Sequence, residues 1–152
     1  LDDENLTNLL IRITIKEGQE QLSEEIYQEI IKSSEGRVRN AIQTLEQVLS
    51  VSDEQRIEII KKNNEEQKQA IDLCRALLNP KSNWRSIQNI LNGLKESDPE
   101  KVRRAVLGYA SNTLLNKDLP ICGLILEEFM NNFYDNGFPQ LVYCCYTVIK
   151  NR

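Results

Sequence analysis

A chain of 152 residues, 40% hydrophobic and 28% charged, has globular composition and enough length to bury a core, as one domain or as two small ones. Its net charge of −4 weighs against a dedicated nucleic-acid-binding surface and leaves room only for a local basic patch. The absence of histidine removes the commonest general base and any Ser-His or Cys-His nucleophile pair, and no apolar run reaches membrane length.

From the N-terminus, Leu6, Leu9, Leu10 and Ile13 recur at helical spacing and predict a helix over about Asp3 to Lys16, stopped by Glu17-Gly18. The opening Leu1-Asp2-Asp3-Glu4-Asn5 reads as a cut made inside a larger protein. Ser23 is placed to cap a second helix, with Glu24 and Glu25 in its first turn and Ile26, Tyr27, Ile30 and Ile31 facing inward. Ser33-Ser34-Glu35-Gly36 ends it, the glycine supplying the left-handed residue that helix ends favour. A third helix opens with Arg37 and Arg39 and aligns Val38, Ala41, Ile42, Leu45, Val48 and Leu49 on one face. Arg37, Asn40, Thr44 and Gln47 form its wet side, and Arg39 stands at the margin. Arginines in a first turn meet the positive end of the helix dipole, so they need solvent or an anion.

Three short helices in about fifty residues bury too little apolar surface to be very stable alone. Ser52-Asp53-Glu54 then starts a further helix, and the polar run Lys61 to Lys68 follows, as a loop or as a solvated helix joining two bundles. The domain boundary is placed there, giving 1–62 and 63–152. Beyond it the reading is helical throughout. Ile71, Cys74, Leu77 and Leu78 face inward before Asn79-Pro80. Asn83 caps a helix with Trp84, Ile87, Leu91 and Leu94 inward and Ile90 beside them. Asp98-Pro99 starts the next, with Val102, Ala105, Val106 and Tyr109 as its stripe, and Asp118-Leu119-Pro120 repeats the device before Ile121, Ile125, Phe129 and Phe133. The last helix, after Asn136-Gly137-Phe138-Pro139, carries Leu141, Val142, Cys145, Val148 and Ile149 on one stripe and Tyr143, Cys144 and Tyr146 elsewhere, as a central or interface helix does. No strand alternation persists anywhere, so the predicted fold is all-α.

Cys74, Cys122, Cys144 and Cys145 lack C-x-x-C spacing and have no histidine to help them hold a metal, so they read as small buried hydrophobes in a reducing compartment. None of the six glycines opens a phosphate-cradling G-x-x-x-x-G-K-[S/T] loop, so the chain alone is not expected to hydrolyse ATP. The carboxylate pairs Glu24-Glu25 and Glu127-Glu128 sit where helix ends or wet faces place them. Lys101, Arg103 and Arg104 form a small basic cluster that reads as a solvated face.

Gly36, Arg39, Ala41, Leu45 and Glu46 fall in register with a pattern known elsewhere. The stretch resembles the second-sensor segment of the clamp-loader group of AAA+ ATPases, where a lid helix begins G-D-x-R-x-A and continues with a leucine and an acid or amide. The ending Ile13-x-x-Lys16-Glu17-Gly18 also resembles that of the first lid helix in those subunits. Arg37 replaces the acid or amide usual after the glycine, and Asn40 stands where a charged residue is frequent. The family includes the bacterial DNA polymerase III motor subunit and the replication factor C small subunits. Its plan implies a three-helix lid over 1–62 and a five-helix collar over 63–152 that assembles the ring, the P-loop domain lying outside this sequence. It further implies ATP as cofactor, held mainly by that other domain. Arg39 then contacts the γ-phosphate from the lid side, with Gly36 as the turn and Arg37 as a second candidate. No catalytic residue and no metal are implied in 1–152. The implied partners are other clamp-loader subunits through 63–152, with a sliding clamp and DNA engaged by the whole assembly in the cytoplasm, or the nucleus of a eukaryote. Two other readings remain: a helical adaptor or scaffold that binds a partner protein without nucleotide, and the lid of another AAA+ recombination or replication-fork ATPase.

Overall fold

The computed structural model describes residues 2–152, and its regular structure there is eight α-helices with no strand. The chain divides into two compact units, Leu1–Glu65 and Glu66–Arg152, and the division falls inside one long helix. No helix among the described residues is long and apolar enough to cross a membrane.

In the first unit, α1 (Asp3–Lys16), α2 (Glu24–Ser34) and α3 (Val38–Leu49) pack pairwise, each against the other two. Asp2 caps α1, its Oδ1 accepting from Asn5 N at 2.8 Å, and Asp3 and Glu4 complement the dipole. Leu6 and Leu10 of α1, Tyr27 and Ile30 of α2, and Leu45 and Val48 of α3 are sealed in one core. Leu9, Ile13 and Ile26 pack only at its edge, and Thr14 takes a fully buried place at the end of α1. That hydroxyl is satisfied internally: Thr14 Oγ1 donates to Leu10 O at 2.8 Å and accepts from Tyr27 Oη at 3.1 Å, while Tyr27 Oη accepts from Leu22 N at 3.3 Å. Ser23 occupies the N-cap of α2, but its side chain makes no capping bond; its carbonyl instead accepts from Ile26 N and Tyr27 N.

The polar run 61–68 is helical. It lies within α4 (Asp53–Leu78), a continuous helix that contains neither glycine nor proline and is rich in Lys, Glu and Gln. In its first half Ile60 is buried in the first unit's core, and Arg56 donates from Nε to Val48 O at 3.2 Å and pairs with Asp53 at 2.6 Å.

The second unit joins the remainder of α4 to α5 (Trp84–Gly93), α6 (Pro99–Asn116), α7 (Pro120–Glu128) and α8 (Phe138–Asn151). Helix α7 packs against α6 and α8, and α8 also meets α5 and α6. The core runs through Leu73, Leu77, Ile87, Val106, Phe129 and Leu141, among others. In α4 the inward stripe is Ala70, Leu73, Cys74 and Leu77, so Ile71, expected inside, is only partly buried. In α6 the stripe is Val102, Val106 and Ala110; Ala105, also expected inside, is exposed, because the stripe advances in 4-residue steps and position 105 lies about 100° around the helix from Val106. Asn83 caps α5 and Asp98 caps α6, through side-chain bonds at 3.0 Å to Ser86 N and Glu100 N. Asp118 does not cap α7: the N-cap is Leu119, since Pro120 already removes one of the donors a cap would satisfy. Gly137 enters α8 at φ +61, a backbone that only glycine adopts without strain. At the far end the Arg152 guanidinium donates to Asn79 O at 2.6 Å, to Leu77 O at 3.3 Å and to Ser82 O, filling carbonyls that the end of α4 and the turn after it leave open.

Candidate functional site

The residues with a predicted role cluster at the α2–α3 turn. Glu35 closes α2 at φ +52 and Gly36 follows at φ +73, two left-handed residues in succession that reverse the chain. Gly36 has open space where a Cβ would stand, so its constraint is purely one of backbone conformation. The turn is fixed from beneath by Arg37 N donating to Ser34 O at 3.0 Å and by the buried Ser34 hydroxyl donating to Ile31 O at 2.7 Å. Arg37 is the N-cap of α3 with no side-chain bond of its own; its carbonyl accepts from Ala41 N at 3.0 Å.

Helix α3 then presents two cations and no acid in its opening turn. Arg37 and Arg39 are both exposed, and among the described residues neither takes part in an ion pair or a side-chain hydrogen bond. Their donors are therefore open to an anion arriving at the positive end of a helix whose inner face, Ala41, Leu45 and Val48, is locked in the core. The other residues of the same sequence pattern lie elsewhere. Glu46 is about 10 Å along the axis from Arg39, at the opposite end of the helix. There it lines a depression of about 300 Å³ with Ile13, Glu17, Gln19, Leu45, Leu49 and Ser50. A second depression, of about 420 Å³, is bordered by Gln19 to Ser23, Ile26, Asp53 and Arg56. Arg39 lines neither of them.

The basic cluster predicted as a wet face on α6 is largely consumed within the fold. Glu100 is only 4% exposed, and Arg103 grips it through two nitrogens, Nε reaching Oε2 at 2.8 Å. Phe133 N donates to the same Oε2 at 2.9 Å, and Arg104 Nε stands 3.6 Å from Oε1. Arg103 also donates to Phe129 O at 2.9 Å and Met130 O at 3.2 Å, tying α6 to the segment after α7. The side-chain bond from Arg103, outweighing burial and helped by Phe133 N and the positive charges of Arg103 and Arg104, pulls the Glu100 carboxyl down to about 2. Lys101 reaches Glu66 at 3.7 Å, and Arg104 donates to Tyr134 Oη at 2.8 Å. Glu100 was missed in the sequence because an acid after proline in a first turn already has a reason to be there, and the groups that bury it lie some thirty positions on.

The four cysteines are free and buried. Burial pushes the Cys74 thiol up to about 12 and the Cys144 thiol up to about 11, and it raises Cys122 and Cys145 as well, so none is held as a reactive thiolate. Cys144 Sγ donates to Glu128 O at 3.2 Å. Among the described residues no group of three or more Cys, Asp or Glu is arranged to hold a metal ion. The chain matches no family model, no curated protein and no solved structure.

Proposed function

We propose that the chain is the lid and collar of a clamp-loader-type AAA+ ATPase subunit, with Arg39 sensing the γ-phosphate of ATP bound mainly by a P-loop domain outside this sequence. The observation that carries the reading is the state of Arg39: an exposed guanidinium without an internal partner, in the first turn of a helix whose start favours anions, just after a left-handed Glu35-Gly36 turn. A cation left open at that place gains most from a phosphate and little from its own fold. ATP differs from ADP at the γ-phosphate, so a contact to that group alone favours one lid angle over another, and this differential affinity is what makes a lid a switch. The helices of Glu66–Arg152 then serve as the collar through which subunits associate.

The test is the hydrolysis rate of the ring assembly containing the P-loop domain, with and without clamp and primed DNA. Arg39→Ala is expected to lower the stimulated rate at least tenfold, as loss of a transition-state cation does, while Arg37→Ala has a smaller effect. An unchanged rate in Arg39→Ala would remove the sensor role.

A further inference from the structure

We propose that the second unit carries a binding face for single-stranded nucleic acid, built by α5, α8 and the linker ahead of α5. Segments 79–95 and 136–152 contain five of the chain's nineteen cations and none of its twenty-three acids. They lie far apart in sequence, yet the fold makes them one surface. Helix α5 packs on α8, the Trp84 ring meets Tyr146 edge to face with centroids 5.2 Å apart, and the Arg152 guanidinium holds the carbonyls of Asn79 and Ser82. A chain of net charge −4 thus brings two acid-free segments together.

The rings on that face are open. Tyr143 is 66% exposed and Tyr146 45%, on successive turns of α8 about 5 Å apart along its axis, and Lys150 follows one turn later on the same side. Lys81 in the linker and Arg85 at the start of α5 are exposed, and neither they nor Lys150 form an ion pair among the described residues. The exposed ring surface of Tyr143 and Tyr146 costs apolar hydration, whereas bases stacking on it recover that surface and phosphates meet the lysines and Arg85. Among anionic polymers, single strands fit best because their bases are free to stack, which duplex bases are not. An acidic peptide would meet the cations but bring no bases to stack on the rings. The inference does not depend on Arg39 or on nucleotide sensing.

The experiment is fluorescence anisotropy of a labelled oligo-dT of about 16 nucleotides, titrated with the chain 1–152. Saturable binding is expected at 50 mM salt, weakening about 20-fold by 200 mM as roughly three phosphate contacts are screened. Tyr143→Ala with Tyr146→Ala should lose about tenfold or more in affinity, and Arg85→Glu with Lys150→Glu should abolish binding. Far-UV circular dichroism checks that the variants fold, and both pairs are exposed, so two independent lesions probe the face. The proposal is overturned by absence of binding at 50 mM salt, or by binding that neither pair of substitutions weakens. It is equally overturned if polyglutamate binds this face and oligo-dT does not, or if the tyrosines prove to mediate self-association with no oligonucleotide bound.

Discussion

Replacing Glu100 by glutamine tests how the second unit is held together. The carboxylate is buried and accepts from Arg103 through two nitrogens and from Phe133 N, with Arg104 nearby. Removing one member of a buried ion pair costs about 3–5 kcal/mol. Glutamine keeps one acceptor, and Arg103 retains Phe129 O and Met130 O, so the low end, about 3 kcal/mol, is expected. In a domain of this size each kcal/mol shifts the melting temperature by roughly 4–8 °C, so Glu100→Gln should melt at least about 12 °C lower. Trp84, the single tryptophan, lies in the second unit and reports its unfolding by fluorescence. The carboxyl is lowered from 4.5 to about 2 on folding, so its contribution is fully present above pH 4.5 and is lost as the pH falls toward 2. Wild type should therefore lose stability across that window more steeply than Glu100→Gln. A variant that melts within about 2 °C of wild type and shares its acid dependence would refute the reasoning, since substitutions that break no buried interaction change stability by no more than about 0.5 kcal/mol.

Three further outcomes follow from the same geometry. Tyr27→Phe removes the hydroxyl that joins Leu22 N to Thr14 Oγ1 and should destabilise the chain by about 1–2 kcal/mol in urea titration, whereas Thr14→Val in the Tyr27→Phe background should cost little more. Native protein at pH 7.5 should react with Ellman's reagent slowly at all four cysteines, because burial raises every thiol, and rapidly once urea exposes them; fast reaction in the native state would contradict the packing. Gly36→Ala meets no neighbour, so its cost should be the backbone strain of φ +73 alone, about 1 kcal/mol by thermal melting.

The helical character and much of the packing were legible because apolar spacing governs both. Val38, Ala41, Ile42, Leu45, Val48 and Leu49 pack as their period predicts, and α1 spans Asp3–Lys16 as Leu6 to Ile13 require. What stayed hidden depends on partners distant in sequence. Thr14 looks like a polar interruption of a stripe until Tyr27 folds over it, and Glu100 looks like a surface acid until Phe133 donates to it. The continuity of α4 across its polar run was undecided, since Lys, Asn, Glu and Gln in a row suit a solvated helix and a loop alike. The turn at Gly36 was readable, but two left-handed residues rather than one make it, and Glu35 gives no hint of that in its type. The exposure of Arg39 was less so, because a residue at the margin of a stripe goes either way until the neighbouring helices are placed.

The most direct test is calorimetric titration of ATP and of ADP into the subunit carrying its P-loop domain, in wild type and in Arg39→Ala. A single charge-assisted bond to the γ-phosphate is worth about 1.5–3 kcal/mol, so ATP affinity should fall by roughly 10- to 100-fold while ADP affinity stays within about twofold. Equal losses for both nucleotides, or none for either, would contradict the account.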